Sequence, residues 1–125
     1  RAEDFIAIGQ YKKALEDLDT LINRDYNLEY EYYKKAMVYL LMDDVENSIL
    51  NIDSALSIND SSSLSYDLLG VIYLKQKKYE DAILEFKKAT DINPDFAIAY
   101  YNIGLAYRYL KRPDDAREYL NKAIE

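Results

Sequence analysis

Residues 63–95, SLSYDLLGVIYLKQKKYEDAILEFKKATDINPD, decide how the rest of the chain is interpreted. Apolar and small residues recur in this stretch at steps of three and four, which is the spacing of one helical face. The spacing predicts a helix over 64–76, a tight turn, and a second helix over 79–91. Asn93-Pro94 ends the second helix, because proline lacks an N–H and disfavours helix in the preceding residue. We therefore predict two antiparallel helices.

The same pattern returns every 34 residues without an insertion. Gly70 falls in a column of small residues, and glycine inside a helix costs about 1 kcal/mol relative to alanine. A small residue kept at that position predicts a close approach of the partner helix. The columns in register are Tyr32, Tyr66 and Tyr100; Phe5, Tyr39, Tyr73 and Tyr107; Ala2, Ala36, Gly70 and Gly104; Ala14, Ser48, Ala82 and Ala116; Leu18, Ile52, Phe86 and Leu120; and Leu21, Ala55, Ala89 and Ala123.

These columns resemble the signature of the tetratricopeptide repeat family, which has the same period. The resemblance implies an all-α fold, a right-handed α-solenoid of antiparallel helix pairs, in one repeat domain over residues 1–125. The residues that carry it are Tyr66, Leu69, Gly70, Tyr73, Ala82, Phe86, Ala89 and Pro94. The implied units are a partial repeat over 1–28 and repeats over 29–62, 63–96 and 97–125.

The second repeat departs most from the signature. Lys35 stands where the next two repeats have Leu69 and Ile103, and Ser48 stands where they have alanine. Helix packing in this repeat is therefore harder to predict than in the third.

The outer repeats also lead to expectations. In the partial repeat we predict a helix up to residue 8, a turn at 9–11 and a second helix over 12–24. In the last repeat, Leu120 and Ile124 have no further helix to cover them, whereas terminal repeats normally carry a polar cap. We therefore expect the chain to be part of a longer array.

Composition excludes several classes of function. The chain has no cysteine and no histidine, which removes thiolate metal sites, the commonest general base and the commonest transition-metal ligand. Its net charge is −7, and residues 1–62 hold that excess with 6 basic and 13 acidic residues. We expect no nucleic-acid partner, since such binding needs clustered lysine and arginine. We also expect no membrane span, catalytic residue, cofactor or metal.

The candidate site is a surface. In stacked helix pairs the first helix of each unit lines the concave side, so its side chains outside the core are expected to face a groove. Tyrosine gives a large contact area at low entropy cost, and the chain holds 14 tyrosines. Packing between units is the alternative for several positions, Val71 and Leu105 above all. The predicted partner-binding residues are Tyr30, Tyr33, Lys34, Met37, Leu64, Asp67, Leu68, Val71, Ile98, Tyr101, Asn102, Leu105, Arg108 and Tyr109.

Three functional hypotheses follow. The first is a non-catalytic scaffold that holds a peptide or helix of a partner protein in the groove. The second is a structural segment that self-associates through uncapped ends, and the third is a segment of a larger enzyme or sensor.

The favoured interpretation of the acidic half is a surface that keeps the protein soluble, and a basic partner near the N-terminal half is the alternative. The carboxylate-binding clamp found in some family members is not expected, because only Asn102 agrees with it. The cytoplasm is the favoured compartment.

Overall fold

The computed structural model describes residues 2–23 and 28–125, with side chains over 7–19 and 28–125. These residues form helices and short turns, and no strand occurs among them. The helices are α1 (Ala2–Asn23), α2 (Leu28–Leu41), α3 (Val45–Ile58), α4 (Ser63–Lys75), α5 (Tyr79–Ile92), α6 (Ala97–Tyr109) and α7 (Pro113–Ile124). The predicted all-α fold is confirmed, and α4 and α5 begin and end within one residue of the predicted bounds 64–76 and 79–91.

The chain divides into two compact units, Arg1–Asp60 and Ser61–Glu125. In unit 1, α2 packs against both α1 and α3. In unit 2, each helix packs against the next one along the chain, and α4 also touches α6. Since α4 and α6 are the first helices of successive pairs, this contact is the one expected between neighbouring repeats.

The predicted turn at residues 9–11 is wrong, because α1 continues through it. Gly9 stands 34 positions before Asp43, which has a φ of 63° in the turn between α2 and α3, whereas no glycine has a positive φ. A single glycine weakens a helix by about 1 kcal/mol but does not break its hydrogen bonds. The side chains of Phe5 and Leu21, which belong to the repeat columns, lie outside the part of the chain that the structure describes. So do residues 25–27, for which the sequence predicts a link between two helices.

The turns inside the helix pairs share one backbone design. Lys77 follows α4 with a φ of 62°, and Lys111 follows α6 with a φ of 61°. The next N–H closes the turn in each case, as Lys78 N donates to Tyr73 O at 2.9 Å. This bond, with the one from Lys77 N to Leu74 O, forms a Schellman cap that satisfies the last carbonyls of the helix. The cap reverses the chain within two residues and brings the paired helices side by side.

The small-residue column lies at close helix contacts, as predicted. A Cβ atom added to Gly70 would lie 2.5 Å from Cε1 of Phe86, whose side chain is fully buried. A Cβ atom on Gly104 would lie 2.7 Å from Cγ of Leu120 and 3.2 Å from the carbonyl oxygen of Ala116. The two glycines therefore set how closely α4 approaches α5 and α6 approaches α7.

The unusual residues of the second repeat form polar contacts instead of apolar ones. Ser48 Oγ is buried and donates a hydrogen bond to the carbonyl oxygen of Ala36 at 2.7 Å. Lys35 Nζ lies 2.6 Å from Oδ1 of Asp19 on α1, and its side chain is only 15% exposed. The hydroxyl keeps α2 close to α3, and the ion pair joins α2 to α1.

Candidate functional site: the first-helix surface

The first helices of unit 2 leave one apolar and aromatic surface uncovered. Along α6, Ile98 is 62% exposed, Tyr101 47% and Tyr109 61%. The other side of α6 is core, where Ile103 and Ala106 are fully buried. We call the uncovered surface the α4/α6 face. Its residues are Leu64, Asp67, Ile98, Tyr101, Asn102, Leu105, Arg108 and Tyr109.

Two residues predicted for the groove belong largely to the interior. Leu68 is only 6% exposed, so it supports the α4/α6 face from below and offers little surface to a partner. Val71 is partly buried and packs against the core cluster around Phe86 and Ile103. Helical spacing alone did not separate these positions from the exposed ones, because α4 is apolar on nearly all sides.

A polar pair lies in the middle of the α4/α6 face. Nδ2 of Asn102 on α6 donates a hydrogen bond of 3.1 Å to Oδ1 of Asp67 on α4. Burial raises the pKa of Asp67 to about 6, although the hydrogen bond from Asn102 acts in the opposite direction. The pair joins the first helices of neighbouring repeats and leaves a partly dehydrated carboxylate on the α4/α6 face.

The end of α6 carries an aromatic and cationic hollow. The Tyr109 ring stacks on Tyr79 of α5 with 5.0 Å between centroids and 6° between planes. Leu105, Arg108 and Tyr109 line a hollow of about 330 Å³ beside this stack. Since stacking holds the Tyr109 ring in place, the hollow is formed before any partner arrives.

The predicted groove residues of unit 1 contact one another on α2. The rings of Tyr30 and Tyr33 are tilted, with centroids 6.0 Å apart. Lys34 Nζ lies 4.5 Å from the Tyr30 ring centroid and 3.9 Å from Oε1 of Glu31. Met37 is exposed on the same helix. Unit 1 therefore carries its own aromatic surface with one lysine in it.

A second apolar surface lies where α6 meets α7. Ile124 is 84% exposed, and the equivalent residue of α5, Thr90, is buried. A shallow apolar hollow of about 470 Å³ lies here, and no described helix covers it. It is lined by Ala97, Ile98, Tyr101, Leu120, Ala123 and Ile124. The predicted exposure of Leu120 and Ile124 holds for Ile124, whereas Leu120 is partly buried against Gly104.

One aromatic cluster was not predicted from the sequence. The Tyr119 ring of α7 lies 5.6 Å from Tyr107 and 6.5 Å from Tyr100 of α6. Lys87 Nζ of α5 lies 3.4 Å from the Tyr107 hydroxyl and 5.8 Å from the Tyr119 ring. Tyr119 is not in any repeat column, so periodicity could not find it. The cluster joins α5, α6 and α7 and accounts for one tyrosine beyond the core columns, Tyr119.

The described residues contain no group of three or more acidic side chains placed to hold a metal ion. None of their helices is both long and apolar enough to cross a membrane.

Models of tetratricopeptide repeats match residues 70–108 and 97–125. The crystal structure of MamA superposes on this chain with a TM-score of 0.82 and 28% identity, over 98% of this chain and 71% of MamA. The chain carries tetratricopeptide repeats over residues 70–125. Its fold is therefore that of a tetratricopeptide-like α-solenoid.

Other tetratricopeptide repeat structures share this fold at lower identity. YrrB, described as having an unusual peptide-binding site, has a TM-score of 0.78 at 21% identity, over 96% of this chain and 62% of YrrB. The second repeat domain of Spaghetti (RPAP3), solved with an HSP90 peptide, has a TM-score of 0.74 at 16% identity, over 81% of this chain and 94% of that domain. No curated protein sequence matches this tetratricopeptide repeat chain significantly.

Proposed function

We propose that this chain is a non-catalytic scaffold that binds a peptide or helix of a partner protein on the concave surface formed by the first helices of its repeats. The main support for this proposal is the exposure of apolar and aromatic side chains on the α4/α6 face. Ile98, Tyr101 and Tyr109 are exposed along one side of α6, and their opposite neighbours are fully buried. Exposed aromatic side chains on a rigid helix are typical of protein interfaces.

The chemistry of this face supports protein binding over catalysis. Tyr101 and Tyr109 offer apolar rings with a hydroxyl at the tip, and Asn102 and Arg108 offer hydrogen bonds that would fix a peptide's orientation. Peptide complexes of family members such as RPAP3 support the same interpretation.

The repeat boundaries are part of the proposal. We infer a partial repeat over 1–28 and full or nearly full repeats over 29–62, 63–96 and 97–125. The turn residues Asp43, Lys77 and Lys111, which stand 34 positions apart with nearly equal φ angles, support this register.

The groove proposal is tested with a random library of displayed 12-residue peptides and binding constants for the selected ones. Tyr101→Ala is expected to weaken binding by about 30-fold, which is the loss typical of an aromatic side chain central to an interface. Leu84→Ala, which removes an exposed apolar side chain from α5, is the matched control and should change nothing. Equal losses in both variants, or a library that yields no binder, would contradict the proposal.

The apolar surface between α6 and α7 favours a second candidate, a segment that associates with a further helix or a second copy there. Ile98 and Tyr101 border both surfaces, whereas Ile124 lies only on the surface between α6 and α7, so Ile124→Ser separates the two functions. If self-association is the function, Ile124→Ser should lower the mass measured by light scattering. If groove binding is the function, the variant should keep the affinity of the wild type for the selected peptides.

A further inference from the structure

Asp67 is a carboxylate without a cationic partner in the middle of the α4/α6 face. Asn102 is the only side chain among the described residues that bonds it, and the bond uses one oxygen. The second oxygen is not among the buried unsatisfied side-chain atoms, so solvent still reaches it. A carboxylate accepts about four hydrogen bonds, and removing one from water is unfavourable unless a cation or donors replace the water. The site therefore has acceptor capacity that the fold itself does not use.

The repeat pattern sets the same two residues apart. Stepping by 34 from Asp67 leads to Tyr33 and Tyr101, and stepping back from Asn102 leads to Leu68 and Lys34. An acid has replaced a tyrosine in one column, and an amide stands in the next. Asp67 and Asn102 each differ from the residues at the equivalent positions of the other repeats. The two side chains form a hydrogen bond between α4 and α6.

We propose that Asp67 and Asn102 form a recognition pair for a lysine or arginine side chain of the partner peptide. The Asp67 carboxylate accepts hydrogen bonds from the cation, and the amide of Asn102 holds the carboxylate in position and offers its own oxygen. This inference rests on the proposed function, because it names the chemistry of a peptide bound on the α4/α6 face.

Arg108 adds a second requirement. It lies six residues beyond Asn102 on α6, about 9 Å along the helix axis, and it is exposed beside the hollow at Tyr109. An extended peptide covers that distance in about three residues. Because Asn102 and Arg108 also differ by about 240° around the helix, three residues is the shortest possible spacing. The partner segment therefore carries an acidic residue at least three positions from its basic residue, with an apolar residue near Tyr101.

The alternative is that the bond between Asp67 and Asn102 only holds α4 against α6. In that case the pair stabilises the fold and has no preference among peptides. The two roles are separated by asking which peptides bind, because a purely structural pair does not change the composition of the bound peptides.

The test uses an array of random 12-residue peptides with free choice at every position. Wild-type protein is expected to select peptides enriched in lysine or arginine, with aspartate or glutamate at least three positions away. Asp67→Asn, which keeps the size of the side chain, should lose the basic enrichment. Glu80→Gln removes the same charge from an exposed position on α5 and should keep it. Circular dichroism establishes that each variant is folded.

A second measurement uses single peptides from the array. Replacing the basic residue by glutamine should weaken binding to wild type by about tenfold or more, as expected for a charge-assisted hydrogen bond, and should have no further effect on Asp67→Asn. Equal losses on both proteins would overturn the inference. Peptides that bind the α4/α6 face without a basic preference would overturn this inference alone, whereas an array without any binder would overturn the proposed function as well.

Discussion

Replacing Phe86 by alanine is expected to lower the free energy of unfolding by about 3–5 kcal/mol. The Phe86 ring is fully buried and fills the space that Gly70 leaves on the opposite helix. Alanine would leave a cavity that α4 and α5 cannot close, because the Schellman cap at Lys77 fixes their distance at one end. Urea denaturation followed by circular dichroism measures the change. Leu84→Ala on the same helix is the control and should stay within about 0.5 kcal/mol of wild type.

The same contact makes a second substitution informative. Gly70→Leu alone should cost about 1–3 kcal/mol through overpacking against the ring. In the Phe86→Ala background the new leucine enters the vacated space, so the double variant should be more stable than Phe86→Ala. If the double variant loses the sum of the two single losses in the free energy of unfolding, Gly70 and Phe86 are not in contact. The close approach of the helices would then have another cause.

Asp67→Asn is expected to stabilise the protein at pH 8 by about 1–3 kcal/mol. The upper limit corresponds to the rise in the pKa of Asp67 from 3.8 to about 6, and the lower limit allows for the partial exposure of its carboxylate to solvent. Burial raises the pKa of Asp67 above its ordinary value, so between pH 4 and 6 the folded state binds more protons than the unfolded state. The contribution of Asp67 to the free energy of unfolding therefore falls as the pH rises from 4 to 6 and stays low at higher pH.

The difference between Asp67→Asn and wild type should accordingly be small near pH 4, grow up to pH 6 and remain constant at higher pH. Chemical denaturation at a series of pH values measures it. Asp95→Asn, at an exposed link position, should differ from wild type by less than about 0.5 kcal/mol throughout. A stabilisation by Asp67→Asn that is the same at pH 4 and pH 8 would contradict the burial of the carboxylate.

The fold was predictable because its determinants repeat. Gly70 and Gly104 are visible in the sequence as small residues in one column, and the structure places each against a large side chain on the paired helix. The turn after α4 was likewise predictable in place, although its positive φ at Lys77 was not, since lysine carries no sign of that conformation. Periodicity works here because each repeat buries the same face.

The failures have equally specific causes. Gly9 stands 34 positions before Asp43, which lies in a turn. A single glycine does not end a helix, however, and α1 continues through Gly9. Leu68 could not be recognised as buried, because α4 is apolar on both its core side and its outer side. The bond between Asp67 and Asn102 joins residues from different columns of different repeats, so stepping along the sequence does not bring them together.

We propose that this protein meets its partner on the first-helix surface. The most direct measurement is the mapping of amide chemical shifts by NMR while a library-selected peptide is titrated into the protein. We expect the shift changes to concentrate at Tyr101, Asn102 and Arg108 on α6 and at Asp67 on α4. Shifts confined to the exposed side of α5 around Leu84, or to Ile124 on α7, would contradict it.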